Sequence, residues 1–345
     1  MKKKFLLGAV ALASAIALAS CDSAATITDA SGNTINVTKT NDSEEVAKAL
    51  DALGNVKSDT SNITGVGIKQ NVYLNIDSSK GELYTKLMLN ESGDLYTSLE
   101  TETNSLADFY LNSNIKLNYD SKEKGYLGAI STTQYKMDGN VNAFNQDKQI
   151  YASWNGLDIG DKLPSEAKVY LSYSTLKILV NNIIGNVDIS SSNDISELDK
   201  IFSELKEKFD TKTLCEKLGI TISSTSSNEV EFSINSSIKD LYEVINEIAP
   251  ETASKLTEMV EIIGNAKIIL NFRINVVTNL LVKIEAKTEG VKEAMQNALN
   301  SDENTKDSNV NAADMNFKLE FDYNAKKPTL PDTKDYVDIK TLGSK

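Results

Sequence analysis

The chain has 345 residues, 49 acidic and 36 basic side chains, a formal net charge of −13 and no histidine. This acidic excess disfavours binding to phosphate backbones and to anionic lipid headgroups, which excludes nucleic acid as an expected partner. Without histidine, the Ser-His-Asp and Cys-His nucleophile systems are excluded, and so is the commonest zinc ligand. We therefore expect no catalytic residues, no metal site and no cofactor.

The N-terminal segment has the layout of a bacterial secretory signal. Lys2, Lys3 and Lys4 precede an apolar run over 5–17, and Leu18-Ala19-Ser20-Cys21 follows. The last four residues resemble the lipobox of bacterial lipoproteins. That resemblance implies removal of residues 1–20 and a diacylglycerol on Cys21, whose two acyl chains contribute about 0.8 kcal/mol per buried methylene. A plain signal peptide and a short transmembrane helix are the alternatives, although the run is short for a hydrocarbon core about 30 Å thick.

Cys21 is therefore the predicted lipid-attachment site, and it places the mature chain on the extracytoplasmic side of a cell membrane. The second cysteine, Cys215, then has no partner. A disulfide framework is excluded, and we expect Cys215 to be a buried structural thiol.

Residues 21–41 are polar and predict a tether, in which 26–28 and 34–37 flank a turn and favour a small hairpin. A helix is predicted from Asp42 or Ser43, since Asp42 and Glu45 have capping-box spacing. Its apolar stripe comprises Val46, Ala49, Leu50 and Leu53, and Gly54 suits its C-terminal end.

From residue 63 to about 154 the hydrophobic period changes to two. Alternating runs occur over 66–76, 83–89, 95–99 and 107–119, with a predicted turn at 90–93. Strict alternation indicates antiparallel strands with one buried and one solvent-facing side. Five tyrosines fall on the expected solvent side, and they suggest either a platform for stacking on cell-wall sugars or simple cross-strand pairing: Tyr73, Tyr84, Tyr96, Tyr110 and Tyr151.

The middle of the chain is predicted to be helical, with apolar faces over 198–209 and 238–248. Pro250 ends the second of these helices, and a further helix is expected through Met259 and Ile262. The stretch 169–184 has strand character first and helical character later. Strands return over 268–276, 280–286 and 315–323, and the polar segment 300–311 predicts a mobile loop.

These elements predict an α+β fold in which a long, curved antiparallel sheet forms an open half-barrel that wraps several helices. We expect a single domain over 42–345, and two smaller α+β halves that divide near residue 190 are the alternative.

The order of these elements, with the lead-in helix followed by Gly65-Val66-Gly67-Ile68-Lys69-Gln70-Asn71-Val72, resembles the LolA, LolB and LppX-type lipoprotein carriers. The resemblance implies an unclosed barrel with an apolar cavity for acyl chains, and it supplies no catalytic residues. A core completely filled by the helices is the alternative.

Two motifs that could support other chemistry are weak. Ser174-Thr175-Leu176-Lys177 matches the Ser-x-x-Lys motif of penicillin-binding enzymes, but no Lys-Thr-Gly follows. Asp302, Asn304, Asp307 and Asn309 offer oxygen ligands for calcium, but the glycine and glutamate of an EF-hand are missing, so a solvated acidic loop is expected.

The sequence thus predicts a membrane-anchored, non-catalytic lipoprotein that binds or carries a lipid-like hydrophobic ligand. The alternative is a cell-surface structural or interaction lipoprotein with a filled core and no small-molecule ligand.

Overall fold

A computed structural model of the chain describes residues 25–28, 34–37, 39–54, 62–98, 108–124, 128–158, 163–172, 210–248, 250–254, 256–301 and 305–342. The fold class is α+β, with an open, mostly antiparallel sheet of 13 strands, as predicted. The helices are α1 (Ser43–Gly54), α2 (Thr211–Leu218), α3 (Ile238–Ile248), α4 (Pro250–Ser254), α5 (Thr257–Ile263) and α6 (Val291–Ser301), and a 3₁₀ turn covers Ile339–Thr341. The strands are β1 (Ala25–Thr28), β2 (Thr34–Val37), β3 (Gly65–Lys80), β4 (Leu83–Ser98), β5 (Phe109–Lys124), β6 (Ile130–Gln146), β7 (Gln149–Trp154), β8 (Leu157–Asp158), β9 (Ala167–Ser172), β10 (Thr221–Ser226), β11 (Glu229–Ser237), β12 (Lys267–Asn275), β13 (Leu280–Glu289), β14 (Ser308–Asp322) and β15 (Val337–Asp338).

The chain divides into two compact units. The first unit combines Met1–Ser61, Ser192–Lys306 and Asp314–Lys318, and the second combines Asn62–Ser191, Asp307–Ala313 and Leu319–Lys345. Strands β10 to β13 form a consecutive antiparallel meander in the first unit. In the second unit, β3 to β7 pair antiparallel in chain order, β9 follows β7, β8 pairs with β6, and β15 runs parallel to β9.

The predicted hairpin and lead-in helix are both present in the first unit. β1 and β2 pair antiparallel, with Ile27 opposite Ile35, and Ile27 is fully buried. This part of the expected tether is therefore packed into the fold. Asp42 caps α1, because its Oδ1 accepts hydrogen bonds from the backbone N–H of Glu44 at 2.9 Å and of Glu45 at 3.2 Å. The predicted apolar stripe of α1 is buried throughout.

The prediction that the middle of the chain is helical is wrong for 221–237. There β10 and β11 form a hairpin in which Ile222 lies opposite Phe232. Phe232 and Ile234 alternate with polar neighbours and are fully buried, which is the period of two expected for a strand. The helices expected over 238–248 and through Met259 are confirmed as α3 and α5. The helix predicted over 198–209 lies outside the described residues.

Two other local predictions are wrong. Residues 90–93 form no turn, because β4 continues through them, with Gly93 paired to Gln70 on one side and Ser113 on the other. The reversal between β3 and β4 lies at Gly81, whose φ is +57°, between the predicted runs 66–76 and 83–89. The expected loop over 300–311 is partly strand, since β14 begins at Ser308 and Val310 is only 4% exposed. α2 agrees with the prediction of a helical middle, whereas the sequence analysis missed α6.

Candidate functional site

Strands β3 to β6 of the second unit are 16 or 17 residues long and pair in register, so they present two distinct faces. On one face the side chains of adjacent strands form apolar rows across the sheet. One row is Leu74, Leu89, Leu117 and Met137, and the next is Ile76, Leu87, Tyr119 and Tyr135. Together with Val72 and Ile115, these residues form what we call the apolar patch.

A polar row limits the apolar patch at one end, and a hydrogen-bonded polar cluster limits it at the other. At one end lie Ser78, Thr85, Ser121 and Thr133. At the other end Glu91 Oε1 accepts hydrogen bonds from Gln70 Nε2 and Ser113 Oγ, both at 2.7 Å. Most patch side chains are half-buried, whereas Met137 is 7% exposed. The patch covers about 14 Å across four strands, from the spacing of about 4.8 Å between neighbouring strands.

On the opposite face of these strands, three of the tyrosines that were expected to face solvent lie in an aromatic row that crosses the sheet. Tyr96, Tyr110, Phe144, Tyr151 and Tyr170 follow one another across the sheet. The Phe144 and Tyr151 rings stack at 5.1 Å, and Tyr96 and Tyr151 are each only 8% exposed.

Tyr84 and Tyr96 lie at opposite ends of the 16-residue β4. Of the five tyrosines of the predicted sugar platform, Tyr73 is 37% exposed and the other four are half-buried or buried. That platform is therefore wrong, because the alternating pattern identifies a face but not what covers it.

The C-terminal segment, residues 323–342, covers the aromatic row. Tyr336 meets Phe144 and Tyr151 edge-on, with centroid distances of 5.9 and 5.3 Å, and Leu330 packs on the same cluster. Gly67 allows the close approach of this segment, since a Cβ at that position would lie 2.7 Å from Ala325 Cβ.

Beside the aromatic row, the same face carries a continuous depression that we call the polar groove. Its floor consists of two rows of side chains, which are Lys69, Asp94, Asn112, Asn142 and Ser153 in the first row and Asn71, Ser92, Asn114 and Asn140 in the second. Three adjoining hollows of about 490, 350 and 950 Å³ make up the groove. Parts of β14 and of the C-terminal segment form its wall, and Trp154 lines one end.

Sequence reasoning missed this groove. The signal for it was present as Asn112 and Asn114 on β5 and as Asn140 and Asn142 on β6, two amides at strand spacing on each strand. What the spacing could not supply was the register that places the two pairs side by side.

The residues predicted from the sequence to carry chemistry are largely outside the described ranges. These are Cys21, the segment 174–177, Asp302 and Asn304. Within the described ranges, no group of three or more Cys, Asp or Glu side chains could hold a metal ion.

Cys215 is buried and unbridged, as expected, and its burial raises the pKa of the thiol to about 12. A thiol with such a pKa stays protonated at neutral pH and is a poor nucleophile.

None of the helices in the described part of the chain is both long and apolar enough to cross a membrane. Comparison with protein-family models, with curated proteins and with solved structures gives no match. The resemblance to lipoprotein carriers therefore stays a prediction.

Proposed function

We propose that this chain is a non-catalytic bacterial lipoprotein, held on the extracytoplasmic side of the cell membrane by acyl chains on Cys21, which binds a lipid-like ligand. The observation that supports a lipid-like ligand is the apolar patch on β3 to β6. Two complete apolar rows lie in register there, with a polar row at one end and the hydrogen-bonded cluster of Glu91, Gln70 and Ser113 at the other. Apolar areas bounded in this way are typical of sites for hydrophobic ligands.

The position of the first strand supports the anchor. β1 begins at Ala25, four residues after Cys21. Four extended residues span at most about 14 Å, so an acylated Cys21 would hold the first unit close to the membrane surface.

The anchor is tested by expressing the full-length chain in a bacterium, with Cys21→Ser as the variant and Cys215→Ser as the matched control. We expect the wild type and Cys215→Ser to partition into the detergent phase and to carry a diacylglycerol mass on residue 21. Cys21→Ser should stay unprocessed and lack that mass. Identical processing and partitioning of all three proteins would overturn the anchor.

The ligand is tested on full-length protein with a fluorescent fatty acid as the probe. The variant Leu89→Asn/Leu117→Asn places two amides in the centre of the apolar patch, where each removes favourable contact with probe methylenes worth about 0.8 kcal/mol apiece. The control Ile68→Asn/Leu111→Asn makes the same changes on the same face, beyond the Glu91 cluster. Trp154, the only tryptophan, reports whether each variant is folded.

We expect at least a tenfold loss of probe affinity in the patch variant and less than a threefold loss in the control. Absence of probe binding by the wild type, together with no lipid in solvent extracts of the purified protein, would refute the lipid-like ligand. That result would favour the alternative, a surface interaction lipoprotein, which the polar groove supports independently.

A further inference from the structure

The groove floor differs from the rest of its face in how its side chains are paired. In the rows beyond the groove, Lys116 lies 3.5 Å from Asp138, and the Tyr84 hydroxyl donates to Asp120 at 3.1 Å. Among the described residues, no ion pair and no side-chain hydrogen bond involves the nine side chains of the floor. The hydrogen-bonding capacity of the floor is therefore available to a ligand.

The chemistry of the floor suits hydroxyl groups. Five of its nine side chains are asparagine amides, and two are serine hydroxyls. An amide both donates and accepts, as do a hydroxyl and an acetamido group, so the two kinds of group can satisfy each other completely. Lys69 and Asp94 lie opposite each other and cancel in charge, which disfavours a strongly charged polymer.

The dimensions of the groove suit an extended chain that crosses the strands. From β3 to β7 there are four strand spacings, or about 19 Å, and each strand adds floor side chains at an interval of about 4.8 Å. That interval is close to the length of one ring in an extended sugar chain. Trp154 follows Ser153 at the end of the groove, where its Nε1–H donates to the Pro164 carbonyl at 3.1 Å, so its fluorescence can report on binding at that end.

An extended peptide fits the groove less well. Peptides that add to sheets pair with the backbone of an edge strand, but β4, β5 and β6 each have neighbours on both sides. The strands of the floor therefore offer a peptide no free edge.

We propose that the polar groove binds a neutral glycan chain, laid across β3 to β7 with its rings over successive strands. That this glycan is a polymer of the cell envelope rests on the proposed extracytoplasmic location. The binding itself does not, so it is tested on purified protein, where failure of the anchor or of the lipid ligand leaves the result unaffected.

The test uses full-length protein in detergent and isothermal titration with hexamers of β-1,4-linked glucose and of β-1,4-linked N-acetylglucosamine. The variant Asn112→Ala/Asn114→Ala removes two floor amides from β5. The matched control Asn75→Ala/Asn118→Ala removes two amides from the same face in a row outside the groove. Neither floor amide makes a side-chain hydrogen bond within the described structure, so we expect no loss of folding in the floor variant.

We expect at least one hexamer to bind, with a change in Trp154 fluorescence, and the corresponding dimer to bind at least tenfold more weakly. The floor variant should lose at least tenfold in affinity and the control less than twofold. Failure of both hexamers to bind, an equal loss in the two variants, or tighter binding of a polar decapeptide than of either hexamer would each overturn the proposal.

Discussion

Tyr336 should control whether the C-terminal segment stays on the sheet. Its ring is 8% exposed and lies edge-on to Phe144 and Tyr151. Each edge-to-face pair contributes about 0.5–1.5 kcal/mol, and loss of a buried aromatic side chain costs about 3–5 kcal/mol in total. Because these contacts hold the segment on the sheet, we expect Tyr336→Ala to detach the segment locally, and with it part of the groove wall, before the second unit unfolds.

A loss of about 3 kcal/mol raises the detached fraction of the segment by more than 100-fold. The assay is hydrogen exchange of the backbone amides over 325–342, followed by mass spectrometry of peptic peptides. Tyr336→Phe is the control, since it keeps the ring and both ring contacts, and it should exchange within about fivefold of the wild type. Wild-type protection in Tyr336→Ala would refute the reasoning, because the aromatic contacts would then not hold the segment.

Two further predictions concern a turn and a thiol. Gly156 has φ +72°, and a Cβ there would lie 2.2 Å from the Asp138 carbonyl oxygen, whereas Gly81 has φ +57° with nothing within 4 Å. Gly156→Ala should therefore lower the free energy of unfolding by about 3 kcal/mol and Gly81→Ala by about 1 kcal/mol, as read from Trp154 fluorescence in urea, and equal losses would contradict the close contact. The raised pKa of Cys215, about 12, means that native protein should react slowly with iodoacetamide at pH 8 and that the rate should keep rising by about tenfold per pH unit up to pH 10, whereas the rate of an ordinary thiol levels off above its pKa of about 8.5. Folding keeps this thiol neutral, so its contribution to stability is complete below its ordinary pKa of about 8.5 and is lost as pH rises towards 12; a thiolate-like reaction rate at pH 8 would show that the burial is wrong.

Local pattern was sufficient where the decisive interactions lie within a few residues. The cap of α1 by Asp42 and its buried stripe follow from spacing alone, and so does the α+β class with antiparallel strands. The same reasoning failed at 90–93, where a cluster of turn-forming residue types lies in the middle of β4. Those residues pair on both sides with β3 and β5, and that pairing outweighs their preference for turns.

By itself, the sequence determined the acidic charge, the absence of histidine and the alternation that defines each strand's two faces. Only the tertiary structure decided what each face became. Residues such as Asn71, Asn114 and Asn140 are far apart along the chain, and strand register alone brings them into one groove floor. Register also places Tyr96 and Tyr151 in an aromatic row that the C-terminal segment covers, because pairing between strands depends on the whole sheet and not on any local run of residues.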